Sequence, residues 1–369
     1  MLARQGARVV IFDGSHPREK PCGGGVTGRA LALVAEAIDP AVLAAAPISS
    51  ARFIDSVSGR SASVELDARG IHPASALVVS SRTDFDGALL AAAERAGATL
   101  VTRRVLTVSS EKAGIRVETS DGGCVARFAI GADGANSLMR RRMARPLPRE
   151  SLSIATGYFA HGVTSREIVI EFVSDPPGYI WSFPRPSHLA IGVCAQANAG
   201  VGAATLRART ATWIARTAIA AGARLEPYSW PIPSLEVRHL QALELGGPNW
   251  CLVGDAAGLV DPITREGIYF SLLSGMWAAE ALLANRPSQY TARVREEIVP
   301  ELIRAARFKA GFFQPAFTRL FVRALQHSPA IAAVTVDLIA GRQPYGDLKW
   351  RLLKTMEWGL AWKVLAGTA

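Results

Sequence analysis

The chain has few of the residues that build metal centres or covalent scaffolds. Its four cysteines, Cys22, Cys124, Cys194 and Cys251, lie far apart with no CxxC pair, and its six histidines show no HxxxH or HxH spacing. Neither zinc nor a disulfide framework is therefore expected, and a reducing cytoplasm suits the composition. Met1 to Gly6 lacks the apolar core of a secretory signal. Long apolar runs are also scarce. The stretch from Gly267 to Ala284 approaches the length of a membrane span, but it holds Glu280, Ser271 and Ser274 and follows Arg265 and Glu266 directly, so it reads as a buried core helix. No internal repeat and no low-complexity linker interrupts the chain.

What is present is a globular composition: 369 residues, 49% hydrophobic and 20% charged, enough for two or three lobes with a sizeable core. The 41 Lys+Arg against 31 Asp+Glu leave +10. Nucleic acid, an anionic cofactor and an anionic membrane face could each use such a surplus, but no nucleic-acid recognition module is visible. The charge is uneven, since residues 290–369 hold 12 Lys+Arg against 6 Asp+Glu, a surplus of +6. Phe312, Phe313, Phe317, Leu320 and Phe321 recur there at helical spacing, which suits either a core face or a membrane face, and Trp350, Trp358 and Trp362 stand between lysines. Residues 300–365 are expected to fold as helices that touch anionic membrane, on the inner face of the cell membrane.

Along the chain, Arg8 to Asp13 reads as a buried parallel strand and Leu2 to Gly6 as the last turn of a helix closed by glycine. The segment from Thr83 to Gly97 is a helix capped by Asp or Thr, with a strand from Thr99 to Thr102 after it. Residues 104–130 predict a hairpin, and Ser151 to Cys194 alternates in short runs broken by Pro, Gly and Asp, the pattern of an antiparallel sheet. A helix near 203–221 and a proline-rich connection lead back to a parallel-type strand at Trp250 to Val253. The fold expected is α/β: a discontinuous, doubly wound, Rossmann-like domain (residues 1–50, 77–150 and 245–286), an inserted antiparallel substrate sheet (51–76 and 151–244) and a helical C-terminal region (287–369).

The chemistry sits at strand ends. In CLVGDAAGLVDPITREG, Cys251 to Gly267, an apolar strand ends in Gly254 and Asp255, and a turn-rich loop feeds a helix. A carboxylate there can meet a ribose hydroxyl, while a helix N-terminus offers unpaired N–H groups to an anion. The segment from Ile130 to Arg140 repeats this logic with Gly131, Asp133 and Gly134. Together they suit a dinucleotide.

Three stretches, KPCGGGVTGRAL (Lys20 to Leu31), GADGANSLMRR (Gly131 to Arg141) and GDAAGLVDPITREGI (Gly254 to Ile268), stand in an order and spacing that resemble the geranylgeranyl reductase family. That family is a branch of the FAD-dependent oxidoreductases that also includes para-hydroxybenzoate hydroxylase. YIWSFPRPSHLAIGVC, Tyr179 to Cys194, is similar to its substrate motif, YxWxFP with GxG following. The resemblance implies FAD as cofactor, with NADPH or another reductant as electron donor. It implies that Asp13 holds the adenosine ribose, that Asp255 contacts the ribityl or pyrophosphate part, and that Gly267 and Ile268 lie near the flavin ring. Arg82, Gly23, Gly24, Asp133, Gly134, Gly254, Gly258 and Pro262 fall in the same cofactor motifs. Cys22 matches a cysteine near the flavin and is a candidate catalytic residue. Tyr179, Trp181, Phe183 and Pro184 match the walls of an isoprenoid tunnel.

The bland alternatives stay open beside these roles. Cys22 stands next to three glycines where nothing larger need fit, Tyr179 and Trp181 share one face of a strand that could be plain core, Asp13 could serve a turn, and Arg82 could be a solvated charge. Two departures stand out. The GxGxxG loop and the strand before it are absent, so the natural protein is expected to begin about 25 to 35 residues earlier. Arg265 and Cys194 occupy positions where the family more often has glycine. The activity implied is saturation of C=C bonds in an isoprenoid or lipid-linked substrate by hydride transfer from reduced flavin. The alternatives are an FAD-dependent monooxygenase or halogenase, and a non-catalytic lipid-binding remnant.

Overall fold

The computed structural model describes residues 1–46, 48–66 and 77–355. Val10–Phe12, the β-branched run before Asp13, pairs in parallel with Thr99–Val101. Ala129–Gly131 pairs in parallel with Trp250–Leu252, which takes Gly246–Gly247 on its other side. These are two separate sheets, and the free edges of Val10–Phe12 and Ala129–Gly131 both border a deep cleft. This is the Rossmann-like α/β architecture with its parallel strands split into two groups, and the cleft lies between them.

Helices frame the cleft. Gly28–Val34 and Ile268–Leu283 pack together, and Arg82–Arg95 closes the side through Phe85 and Leu89. The last of these starts slightly earlier than expected. Its cap is Ser81, whose hydroxyl accepts from the Asp84 amide at 3.0 Å, so Thr83 lies inside the first turn. Residues 104–130 likewise give one strand more than a hairpin: Val105–Glu111, Gly114–Thr119 and Gly122–Ala126 form a meander, because turns at residues 112–113 and 120–121 fold the chain twice.

The inserted layer is a seven-stranded sheet in the order Arg224–Pro233, Leu152–His161, His188–Gln196, Pro177–Pro184, Glu167–Ser174, Ser50–Asp55 and Ser61–Glu65. All neighbours are antiparallel except Glu167–Ser174 with Ser50–Asp55. Alternation gives the sheet two faces. One buries Ile180, Ile191 and Val193 under Leu206, Trp213 and Ile214 of the helix Ala203–Thr217. The other carries Tyr179, Trp181 and Cys194 to the cleft.

The C-terminal region, described to residue 355, folds as helices Val299–Phe312, Pro315–His327, Pro329–Ile339 and Tyr345–Lys354 over the outer strands of this sheet. Its phenylalanines are core. Phe312, Phe313 and Phe317 are buried in one cluster with Phe53 and Phe172, while Leu320 and Phe321 are partly buried against it. Phe172 meets Phe312 edge-on at 5.7 Å, and Phe53 meets Phe321 at 5.8 Å. Each buried ring contributes about 1.5–3 kcal/mol relative to exposure. Of the two faces their spacing allows, these aromatics take the core face. Trp350 is exposed, and Trp358 and Trp362 lie outside the described residues.

Candidate functional site

The cleft has a volume of about 2480 Å³ and two arms of different chemistry. The polar arm runs along the strand ends. Asp13 follows its strand directly and lines this arm, its carboxylate accepting from the Ser15 amide at 2.9 Å and pairing with Arg18 at 3.2 Å. Burial alone would raise its pKa, but the Ser15 amide and Arg18 hold it below the usual carboxylate value. Across the arm lie Gly131, Asp133 and Gly134. Both oxygens of Asp133 are engaged locally, one by the Ser137 hydroxyl at 2.5 Å and the other by the Met139 amide at 3.0 Å, which fixes the start of the helix Leu138–Met143. Arg140, buried on that helix, donates from Nε to the Ala256 carbonyl at 2.6 Å and so ties this segment to the one carrying Asp255.

Asp255 differs from Asp13 and Asp133. It stands where the strand Trp250–Leu252 breaks into the short turn Gly254–Ala257, lines the cleft, and its carboxylate makes no hydrogen bond or ion pair among the described residues. Burial pushes its carboxyl above the usual value, with Arg82 and Lys20 opposing from a distance. Gly267 lies close, since a Cβ there would come within 3.1 Å of Asp255 Oδ1. From Gly267 the helix Ile268–Leu283 departs, so its free N–H groups open on the same space. An unpartnered carboxylate beside a helix N-terminus is what the hydroxyls and negative charge of a flavin dinucleotide require. The residues present fit that group.

Cys22 sits where the two arms meet. Its Sγ accepts from the Gly24 amide at 3.3 Å and lies beside the Arg82 guanidinium. Arg82 is held by Asp86 at 2.9 Å through two nitrogens; burial alone would lower its pKa, but Asp86 and Cys22 together raise it. The neighbouring glycines are required by space. Gly24 has φ +81 and a Cβ there would lie 2.3 Å from the Ser80 carbonyl, while one on Gly23 would lie 2.9 Å from the Phe183 ring.

The apolar arm extends under the sheet, past Tyr179, Trp181 and Phe183, between Ile170 and Phe172 on one side and Phe308, Phe312 and Leu352 of the C-terminal helices on the other. Tyr179 stacks on Phe313 at 6.1 Å and meets Trp181 at 5.8 Å. The cleft thus gathers Asp13, Cys22, Gly23, Gly24, Arg82, Asp133, Gly134, Gly254, Asp255, Gly267 and Ile268 with Tyr179, Trp181 and Phe183. It leaves out three candidates. Gly258 packs against Leu235 and Leu243, and Pro262 and Pro184 are buried behind the wall.

Two basic residues without a motif of their own turn out to matter. Arg185, fully buried, pairs with Glu19 and donates to the Cys22 carbonyl, so it locks the glycine loop to the sheet. Burial pushes Glu19 up, but Arg185 and the Arg82 amide leave it below its usual value. Lys309 donates to Gln196 Oε1 and Ser234 Oγ, both at 2.7 Å, beside the cleft residue Phe308.

No protein-family profile matches the chain. It is 31% identical to the menaquinone reductase of Mycolicibacterium smegmatis over 94% of its own length and 89% of that protein's. It is 28% identical to the geranylgeranyl diphosphate reductase of Rhodobacter capsulatus over 77% of its length and 71% of that relative's. Among solved structures, a geranylgeranyl bacteriochlorophyll reductase-like protein from Thermoplasma acidophilum superposes with a TM-score of 0.77 at 23% identity, covering 96% of this chain and 94% of that one. A flavin-dependent brominase follows at 0.69 and 18%, covering 95% and 94%.

Proposed function

The chain belongs to the geranylgeranyl reductase family of FAD-dependent oxidoreductases, and from that premise we propose that it saturates carbon–carbon double bonds in the isoprenoid chain of a lipid-type substrate. Bound FAD, once reduced by NADPH or another donor, supplies the hydride. Asp255 would accept hydrogen bonds from the cofactor's ribityl hydroxyls, Asp13 from its adenosine ribose, and the helix N-terminus at Gly267 would favour negative charge on the ring. Tyr179, Trp181 and Phe183 would hold the isoprenoid against that ring and exclude water.

One observation carries this reading: the polar arm and the apolar arm are one continuous cleft, meeting at Cys22 and Gly267. An apolar arm lined by Tyr179, Trp181, Phe183 and the phenylalanines of the C-terminal helices, continuous with a polar arm, suits a chain-like hydrocarbon better than a compact aromatic substrate. The test is anaerobic. Protein loaded with FAD and reduced chemically is mixed with a prenylated quinone or a prenylated phospholipid, and the product should gain hydrogen across an isoprene unit. An oxygenated or halogenated product that forms only in air would sink the reductase reading.

We further propose peripheral contact with the inner face of the cell membrane through the last described helix. No helix among the described residues is long and apolar enough to cross a membrane. In Tyr345–Lys354, Leu348 and Leu352 line the chamber, while Lys349, Trp350 and Lys354 face outward. A lipid collected at a surface could enter beneath such a helix.

A further inference from the structure

Arg265 is costly where it stands. Its φ is +61, a left-handed conformation that a non-glycine side chain adopts only under constraint. Its Nε is buried without a hydrogen-bond partner, and its Nη1 donates to Ser234 Oγ. The same hydroxyl accepts from Lys309 Nζ at 2.7 Å, and Lys309 also reaches Gln196 Oε1 at 2.7 Å. Two cations therefore converge on one neutral oxygen, and neither has a carboxylate in ion-pair contact among the described residues. Like charges at such a separation repel, and their burial beside an aromatic wall adds desolvation. Glycine at 265 would remove all of these costs.

Of the pair, Arg265 opens on the cleft and Lys309 stands behind it. Arg265 lines the cleft together with Tyr179, Cys194 and Phe308, the residue before Lys309. Ser234, just past the strand Arg224–Pro233, and Gln196, at the end of His188–Gln196, flank the strand Leu152–His161 and hold Lys309 behind Arg265. Burial first, and then Arg265, bring Lys309 down to about 7; the Cys194 thiol and the more distant Glu236 act the other way. An incoming anion would relieve the repulsion and restore the ammonium.

We propose that Arg265, backed by Lys309 on Ser234, forms an oxyanion subsite that takes the phosphate-type group at the polar end of the isoprenoid substrate. It deepens the reductase reading, on which the identity of the rest of the ligand rests. The phosphate chemistry is shared by a prenyl diphosphate and a phospholipid headgroup.

The test is a binding measurement on the FAD-loaded full chain at pH 7, by calorimetry in two buffers of different protonation enthalpy. The ligands are a prenyl diphosphate, a prenylated phospholipid, the neutral prenol and inorganic pyrophosphate. One or both anionic prenyl ligands should bind at least about tenfold tighter than the prenol, with proton uptake as Lys309 regains its charge. Competition by pyrophosphate marks the diphosphate as the source; a preference confined to the phospholipid marks the headgroup. Arg265→Gly, which relieves the backbone strain and should fold, ought to abolish the preference while keeping FAD, and Lys309→Met ought to retain part of it without proton uptake. Equal preference in the parent and Arg265→Gly, no preference in the parent, or loss of FAD from Arg265→Gly would each overturn the subsite. Turnover does not enter these readouts, so a chain that saturates no double bond yet keeps the Arg265-dependent preference would refute the reductase reading and leave the subsite standing.

Discussion

Asp255 and Asp13 show how two strand-end aspartates come to differ. Asp13 is already satisfied by Ser15 and Arg18, so a ligand must share it, whereas the Asp255 carboxylate has no partner among the described residues and gains one when a ligand binds. Asp255→Asn should therefore raise the FAD dissociation constant about ten- to a hundredfold, the worth of one charged hydrogen bond of roughly 1.5–3 kcal/mol, with an unchanged or slightly higher melting temperature. Flavin fluorescence titration beside calorimetric melting checks both halves; retention of parental affinity would remove Asp255 from the cofactor site. His188 offers a pH signature. Burial, then Arg185, bring it down to about 4, below its unfolded value near 6.5. A depressed folded pKa means that the unfolded chain binds the extra proton first. The stabilisation is thus full above about pH 6.5 and is lost as pH falls towards 4. His188→Gln should flatten the fall in melting temperature between pH 7 and pH 4.5; a slope equal to the parent's would show that other groups carry the acid sensitivity.

At the scale of elements, Gly192 decides whether the aromatic wall can form. A Cβ there would lie 2.5 Å from both the Trp181 ring and the Tyr228 hydroxyl, so the strand His188–Gln196 must carry glycine beneath the indole. Gly192→Ala should cost about 1–3 kcal/mol by overpacking and should shift tryptophan emission as Trp181 is pushed aside. An unaltered spectrum with parental stability would mean that the wall yields elsewhere. The pattern around this strand was readable in advance, because alternation of apolar residues and interruption by Pro, Gly and Asp are local signals. The extra turn at residues 112–113 was not: it divides the first arm of the expected hairpin into Val105–Glu111 and Gly114–Thr119, and only their pairing reveals it. Ser81 was hidden for another reason. Ser81, Thr83 and Asp84 can all cap a helix, and only the folded backbone chooses among them. The phenylalanines from Phe312 to Phe321 fit a core face or a membrane face equally well by spacing, and it took the sheet strands bearing Phe53 and Phe172 to bury them.

For the whole molecule, the C-terminal helices line the apolar arm, which makes the last described one, Tyr345–Lys354, a boundary between cleft and solvent. Its inner residues Leu348 and Leu352 are buried, and its outer face carries Trp350, 66% exposed, between basic neighbours. Within a region holding +6 of the total charge, that face is the place where attraction to anionic lipid and insertion of an indole would act together. Each basic residue near an anionic surface contributes about 1 kcal/mol, and the effect fades beyond a Debye length of about 8 Å at physiological salt. Flotation with vesicles should therefore recover the chain on anionic but far less on neutral lipid, and recovery should fall in high salt. Trp350→Ala should weaken recovery on anionic vesicles without moving the melting temperature, because the side chain packs against little, and Lys349→Glu with Lys354→Glu should nearly abolish it. FAD binding, some distance away in the polar arm, should be the same in all of these variants. Equal recovery on neutral and anionic vesicles, or none on either, would mean that the lipid reaches the chamber by a route that does not pass beneath this helix.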